Sequence, residues 1–293
     1  MLYFLTPLNT IIMEVIKVSI YTLEQEKQIA NEYIKGIPIE QLVQKYGFKT
    51  RKSITDKVKK FYPEQWEEIK NKRNILKKGY SYQLEKIECE FDAYFIGLLL
   101  TDGYVARENQ IGIDLIDEDC IRFLSDYIGK KYNTYPPYRE NEQTRYRLLL
   151  TDKMLVNNLK RFGIIKNKTL NLQGPQLLPE EEQFIPYIIR GIIDGDGTIG
   201  TVSNSIGIRI TTASYDFAEW LQKILTEKLF LKNIKIHGKE RAYVIETYKK
   251  ENIEKIISLV YDKPFGMSRK YNKIRKMFND YNMDFSNRED GIV

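Results

Sequence analysis

Two runs in the same register constrain this chain more than any other feature. The first is Phe95-Ile96-Gly97-Leu98-Leu99-Leu100-Thr101-Asp102-Gly103; the second, 94 positions later, is Ile189-Arg190-Gly191-Ile192-Ile193-Asp194-Gly195-Asp196-Gly197. Each predicts an apolar helix with small residues four apart (Gly97 and Thr101; Gly191 and Gly195), then one aspartate and a helix-ending glycine. Small residues at that spacing let two helix backbones approach closely. If these helices pack on each other, Asp102 and Asp196 meet at one end of the interface. Two carboxylates at the negative, carbonyl ends of two helices repel, and a divalent cation is the natural relief.

The chain also repeats itself from about Cys89. Each motif helix is followed by a hairpin, at about Tyr104–Arg107 with Ile111–Leu115, and at about Thr198–Val202 with Ile206–Thr212. An amphipathic helix follows in each copy, at about Asp117–Lys130 and about Ser214–Leu229. A second hairpin comes next: about Thr134–Arg139 with Arg145–Leu150, and about Asn233–His237 with Arg241–Thr247, closed by Gly238-Lys239-Glu240. A third helix ends each copy, at about Asp152–Phe162 and about Glu251–Tyr261. The order αββαββα, read twice, predicts an α+β fold of two pseudo-two-fold tandem halves, 86–175 and 176–293. Leu172–Glu182, rich in Gly, Pro and Gln, reads as the linker. Ile206, Ile208 and Ile210 alternate with Gly207, Arg209 and Thr211, and Ile234 and Ile236 with Lys235 and His237. Period two buries the isoleucines and turns Arg209, Thr211, Lys235 and His237 outward, as it does Arg145 and Arg147 in the first half. Such a face suits the major groove of a duplex, although any water-exposed antiparallel sheet is polar on one side.

Both runs resemble the LAGLIDADG motif, and the second, with its trailing Thr198-Ile199, is an unusually full match. The first departs at the sixth and seventh positions, where Leu100 and Thr101 replace Asp and Ala. The family comprises homing endonucleases and related RNA maturases. Two copies in one chain imply the single-chain, pseudo-symmetric form, with saddle-shaped antiparallel sheets. The resemblance covers roughly residues 90–280, and it places the metal-binding acids on Asp102 and Asp196. It also implies catalytic lysines near those acids, and each half offers one at a matching point after its third helix. These are Lys168 in Ile165-Lys166-Asn167-Lys168-Thr169 and Lys270 in Ser268-Arg269-Lys270-Tyr271. Lys166 and Arg269 are the nearest substitutes, and phosphate contact is the plainer role for Lys168 and Lys270.

Residues 1–85 lie outside the resemblance and read as a small, all-helical domain with a basic linker. Glu24 to Lys35 predicts one helix, stopped by Gly36; Pro38 to Tyr46 predicts a second; Arg51 to Phe61 predicts a third. The glycine-bearing turn Gly47-Phe48-Lys49-Thr50 makes the last two similar to a helix-turn-helix unit. Lys49, Arg51, Lys52, Ser53 and Lys57 then lie near its DNA-facing side. The alternative is a three-helix bundle that only packs. Trp66 to Lys78 predicts a further basic helix, broken at Gly79.

Charge agrees with a polyanionic partner. Lys and Arg exceed Asp and Glu by 46 − 40 = 6, and the excess is uneven: residues 263–278 hold 6 basic residues and no acid. Two cysteines, Cys89 and Cys120, make neither a zinc cluster nor a disulfide framework, which points to a reducing, intracellular compartment. Met1 to Met13 is apolar but too short to span a membrane. A single histidine, His237, argues against nucleases built on a His base and against His-ligated zinc. Mg2+ fits oxygen ligands best: Asp102 and Asp196, each with a backbone carbonyl, that of Thr101 or Gly195. Mn2+ is expected to substitute, and Ca2+ to support binding without cleavage. The expected function is a monomeric, site-specific double-stranded DNA endonuclease, with short 3′ overhangs implied by the resemblance. The alternative is an RNA maturase or DNA-binding regulator that does not cut.

Overall fold

The computed structural model describes residues 21–280 except 203–204 and 240–241, so Met1–Met13, Glu240 and Arg241 lie outside the described residues. The chain divides after Lys77 into two compact units. The division falls eight residues before the expected boundary at 85 because Tyr80 and Leu84 are already buried in the larger core.

The first unit is helical. Helix α1 (Leu23–Ile34) opens with a capping box in which Thr22 and Gln25 satisfy each other's backbone N–H groups. Gly36, at φ +100°, turns the chain into α2 (Ile39–Lys45), and Gly47, at φ +64°, turns it towards α3 (Lys52–Phe61). Ile29, Ala30, Tyr33, Leu42, Ile54 and Val58 form its core. Helix α4 (Trp66–Lys78) adds Arg73, whose guanidinium donates to Tyr33 O and, at 2.9 Å, to Ile37 O.

The second unit contains the repeat. Its first half runs α5 (Glu90–Thr101), β1 (Gly103–Arg107), β2 (Gln110–Leu115), α6 (Glu118–Ile128), β3 (Asn133–Tyr135), β4 (Arg145–Thr151) and α7 (Lys153–Leu159). Its second half runs α8 (Ile185–Gly195), β5 (Gly197–Val202), β6 (Ser205–Thr212), α9 (Tyr215–Glu227), β7 (Lys235–Lys239), β8 (Ala242–Thr247) and α10 (Lys250–Val260). Each half forms a four-stranded antiparallel sheet, ordered β1-β2-β4-β3 and β5-β6-β8-β7. The αββαββα order therefore occurs twice, as the periodicity predicts.

The differences from expectation have local causes. Strand β3 is three residues long because Pro136 and Pro137 follow it and carry no N–H for the ladder. Strand β7 starts late because Phe230 and Asn233 hold positive φ, and Gly238 lies within the strand rather than closing the hairpin. Pro179–Phe184, inside and just beyond the expected linker, forms a 3-10 turn. A further helix, α11 (Ser268–Asp280), was not expected at all.

The two motif helices are the centre of the unit. A Cβ placed on Gly97 would fall 2.2 Å from Ile188 O, and one on Gly191 would fall 2.3 Å from Tyr94 O. No side chain fits at that crossing, so glycine is required on both helices. Buried Leu98, Leu99, Ile188, Ile189, Ile192 and Ile193 seal its flanks.

Candidate functional site

The close crossing brings the motif acids together. Asp102 and Asp196 each occupy the C-cap of their helix, so both carboxylates stand at a helix's carbonyl end. The Gly195 backbone faces the other half: a Cβ there would sit 2.0 Å from Thr101 Oγ1 and 2.7 Å from Asp102 Oδ2. Asp102 is half-buried and Asp196 is exposed. Burial, and then the negative charge of Asp196, push the Asp102 carboxyl up to about 6, against a smaller opposing effect of the Thr101 hydroxyl at 3.3 Å. Although Asp196 is exposed as a residue, partial desolvation of its carboxylate by the surrounding chain also raises it, with Lys168 and Lys270 opposing.

A lysine reaches each helix end. Lys168, almost fully buried, donates to Thr101 O at 3.1 Å. It is delivered by a 3-10 turn (Lys168–Leu170) that starts from Asn167 in the left-handed region. Lys270, on α11, donates to Ile193 O at 2.7 Å, Gly195 O at 3.1 Å and Gly197 O at 2.8 Å. Desolvation lowers the pKa of both ammonium groups, while the nearby carboxylates oppose the shift. All four expected residues, with Thr101 and Gly195, thus gather at one place. The carbonyls of Thr101 and Gly195 already accept lysine hydrogen bonds, which leaves each of them one lone pair.

Among the described residues no group of three or more His, Cys, Asp or Glu gathers. A cation here would have to rest on two carboxylates with carbonyl, water or phosphate oxygens. That donor set suits Mg2+, which retains water and takes few protein carboxylates. A pair of mutually repelling carboxylates held together by backbone packing is the observation that fits it.

Sequence reasoning missed a buried network beside this site. Asp194, the extra acid of the second motif, accepts from Tyr261 Oη at 2.7 Å, Tyr94 Oη at 2.9 Å and Met267 N at 3.2 Å. Arg190, fully buried, lies over the Tyr261 ring and donates to Val260 O and Phe265 O. The signal was present as an arginine and an aspartate four apart inside an apolar helix, a spacing that lets side chains meet.

The outward sheet residues sit where alternation places them. Arg209, Thr211, Lys235 and His237 are exposed above buried Ile206, Ile208, Ile210 and Ile245, and Arg145 is exposed on β4. Two of the arginines are engaged by acids that the alternation did not single out. Arg147 is bidentate to Asp114 on the adjacent strand and covers the Tyr135 ring, and Arg209 bonds Glu246 at 2.8 Å. Arg269 is bidentate to Asp117. In the first unit Lys49 and Lys52 are exposed, and Arg51 pairs with Glu40. Lys57 corrects the expectation. Its side chain is 14% exposed, 3.2 Å from the Glu26 carboxylate and over the Phe48 ring, so it stabilises the bundle instead of facing outward.

Residues 184–261 match the family model of the LAGLIDADG-like domain. This part of the chain is similar to that domain. It takes in α8, the second sheet and α10, with Asp196 inside the match. The second unit has the fold of "the homing endonuclease I-WcaI bound to its DNA recognition sequence": the TM-score is 0.50 at 14% identity, covering 68% of this chain and 91% of that one. Full-length DUF199/WhiA from Thermatoga maritima aligns at a TM-score of 0.44 and 12% identity, over 72% of this chain and 66% of that one. A curated DNA polymerase of Methanocaldococcus jannaschii is 25% identical over 191 residues, or 56% of this chain. The match spans 11% of that polymerase's length. Among the described residues, no helix is long and apolar enough to cross a membrane.

Proposed function

We propose that this chain is a site-specific double-stranded DNA endonuclease that hydrolyses one phosphodiester bond on each strand with Mg2+. The observation that carries the reading is the convergence of Asp102, Asp196, Lys168 and Lys270 at the end of one glycine-lined helix crossing. A protein that only binds gains nothing from two repelling carboxylates forced together at that point.

Asp102 and Asp196 would hold the metal. When bound, Mg2+ supplies a polarised water and neutralises charge on the phosphate. The chain's own groups do the rest. Lys168 and Lys270, fixed by backbone carbonyls, present positive charge where negative charge grows on the phosphoryl oxygens. Arg145, Arg209, Thr211, Lys235 and His237 are offered to base edges and phosphates along the two sheets. Arg147, Arg209 and Arg269 are held in fixed orientation by Asp114, Glu246 and Asp117, which limits the side-chain entropy lost on binding. Lys49, Arg51 and Lys52 of the helical unit extend the phosphate contacts. The enzyme would act as a monomer, since one chain holds both halves.

One observation favours the second reading, a maturase or DNA-binding regulator of the same fold. The Thr101 and Gly195 carbonyls, which could complete a metal's ligand set, are already bonded to lysines.

The deciding experiment is a cleavage screen of the purified chain against a randomised duplex library, with Mg2+ or with Ca2+. The expected result is cutting in Mg2+ that Asp102→Asn or Asp196→Asn removes, while both variants still bind the recovered duplex in Ca2+. Unchanged cutting by both variants would falsify the site assignment. Binding without cutting in any divalent ion would favour the regulator or maturase.

A further inference from the structure

We infer that Asp194 is a positioning residue for Lys270, and that it serves only one of the two cutting centres. The inference rests on the proposed function for its catalytic consequence, but not for its structural content.

Two lysines with one job arrive by different routes. Lys168 follows a tight backbone path: Gly163 at φ +79°, Asn167 at φ +58°, then the 3-10 turn. Lys270 comes from α11, after a seven-residue connection from Val260 whose course side chains must fix. The sequence of that connection, Asp262-Lys263-Pro264-Phe265-Gly266, cannot form a regular element of its own.

Asp194 supplies the fixing point. Its Oδ2 accepts from the Met267 N–H at 3.2 Å and from Tyr94 Oη at 2.9 Å, while Tyr94 Oη also lies 3.1 Å from Met267 N. Its Oδ1 accepts from Tyr261 Oη at 2.7 Å, at the start of the connection. Arg190, one turn earlier on α8, takes the Val260 and Phe265 carbonyls. Both ends of the connection are therefore tied to the last two turns of α8. Gly266 lies against the Tyr94 hydroxyl, where a Cβ would be 2.4 Å from it, so the segment is packed as well as bonded. Three residues after Met267, the Lys270 ammonium meets the carbonyls of Ile193 and Gly195 at the end of α8 and of Gly197 at the start of β5. Ser268 N is held by Asp119 of α6 and Arg269 by Asp117 just before that helix, which fixes the start of α11 from the other side.

Among the described residues of the first half, no acid stands at the matching position. Leu100 occupies the position equivalent to Asp194 and is buried in apolar surroundings. Lys168 cannot depend on it through a hydrogen bond. The departure of the first motif from the second thus marks which lysine needs an external anchor.

The test compares Asp194→Leu, Asp194→Asn and Tyr261→Phe in the full chain. In 13Cε-lysine-labelled protein without DNA, with signals assigned by Lys270→Arg and Lys168→Arg, Asp194→Leu should move the Lys270 resonance and leave Lys168 in place. Asp194→Asn, which keeps an oxygen acceptor, should restore part of the shift. Tyr261→Phe, the mildest change, gives the same reading if Asp194→Leu does not fold. On the duplex recovered from the library, labelled separately on each strand, Asp194→Leu should slow one cut by roughly a hundredfold, as a displacement of about 1 Å does, and spare the other. A Lys270 signal that stays put in all three variants overturns the inference, as does equal movement of both lysines. If the parent protein cuts no duplex but Lys270 still responds alone, the nuclease reading fails and the positioning role stands.

Discussion

At the residue scale the unusual group is Asp102, a carboxyl raised to about 6 by burial and by its twin acid. In metal-free solution the unfolded chain gives up this proton near its ordinary value, whereas the folded chain keeps it until about pH 6. The folded state therefore binds more protons between those values, and stability falls as pH rises through that window. Asp102→Asn removes this loss. Calorimetry in EDTA should find the variant's Tm gain over the parent larger at about pH 7.5 than at about pH 4. An equal gain at both values would mean that neither burial nor the Asp196 charge raises the Asp102 carboxyl in the apo protein. The same scale shows where sequence reading ends. Helix periodicity and repeat matching placed Asp102 and Asp196 in one register, whereas Lys168 and Lys270 came from the family resemblance together with their matching points after the third helices. None of these located the partners of Arg147 or Lys57, because a cross-strand acid such as Asp114 and a covering ring such as Phe48 are set by register and tertiary packing.

At the element scale, the glycine crossing makes a sharp demand. An alanine Cβ at Gly191 would overlap Tyr94 O and Leu98 N, both backbone atoms that no rotamer change can move. Gly191→Ala should destabilise the second unit by about 1–3 kcal/mol, read as a lower urea midpoint at unchanged slope. A variant as stable as the parent would show that the helices can separate without loss. Strong alternation and long apolar runs made α5, α8 and most strands legible, within a residue or two at their ends. Helix α11 was not legible. It is basic and short of apolar residues, and Tyr271, Ile274 and Met277, which face the core, lie three apart in a stretch whose charge drew the reading.

At the scale of the molecule, the helical unit has its own core and the larger unit has another. Deletion of residues 1–77 should leave the larger unit folded, with a cooperative melt, and should shorten the DNase footprint of the recovered duplex on one flank. It should also flatten the dependence of affinity on salt, since phosphate contacts are lost. An identical footprint would reduce the helical unit to a packing role. Deletion to 85 should fail where deletion to 77 succeeds, because it takes Tyr80 and Leu84 out of the larger core. The sheets and the helix crossing also answer to different constraints. Outward side chains on the strands are free to change with little effect on the interior, whereas the Gly97–Gly191 contact is backbone against backbone and tolerates no exchange. On the proposed function, a lineage of such enzymes could drift from one target to another while the stagger of its cuts stays constant, because that offset is gauged by main chain and not by any residue that reads a base.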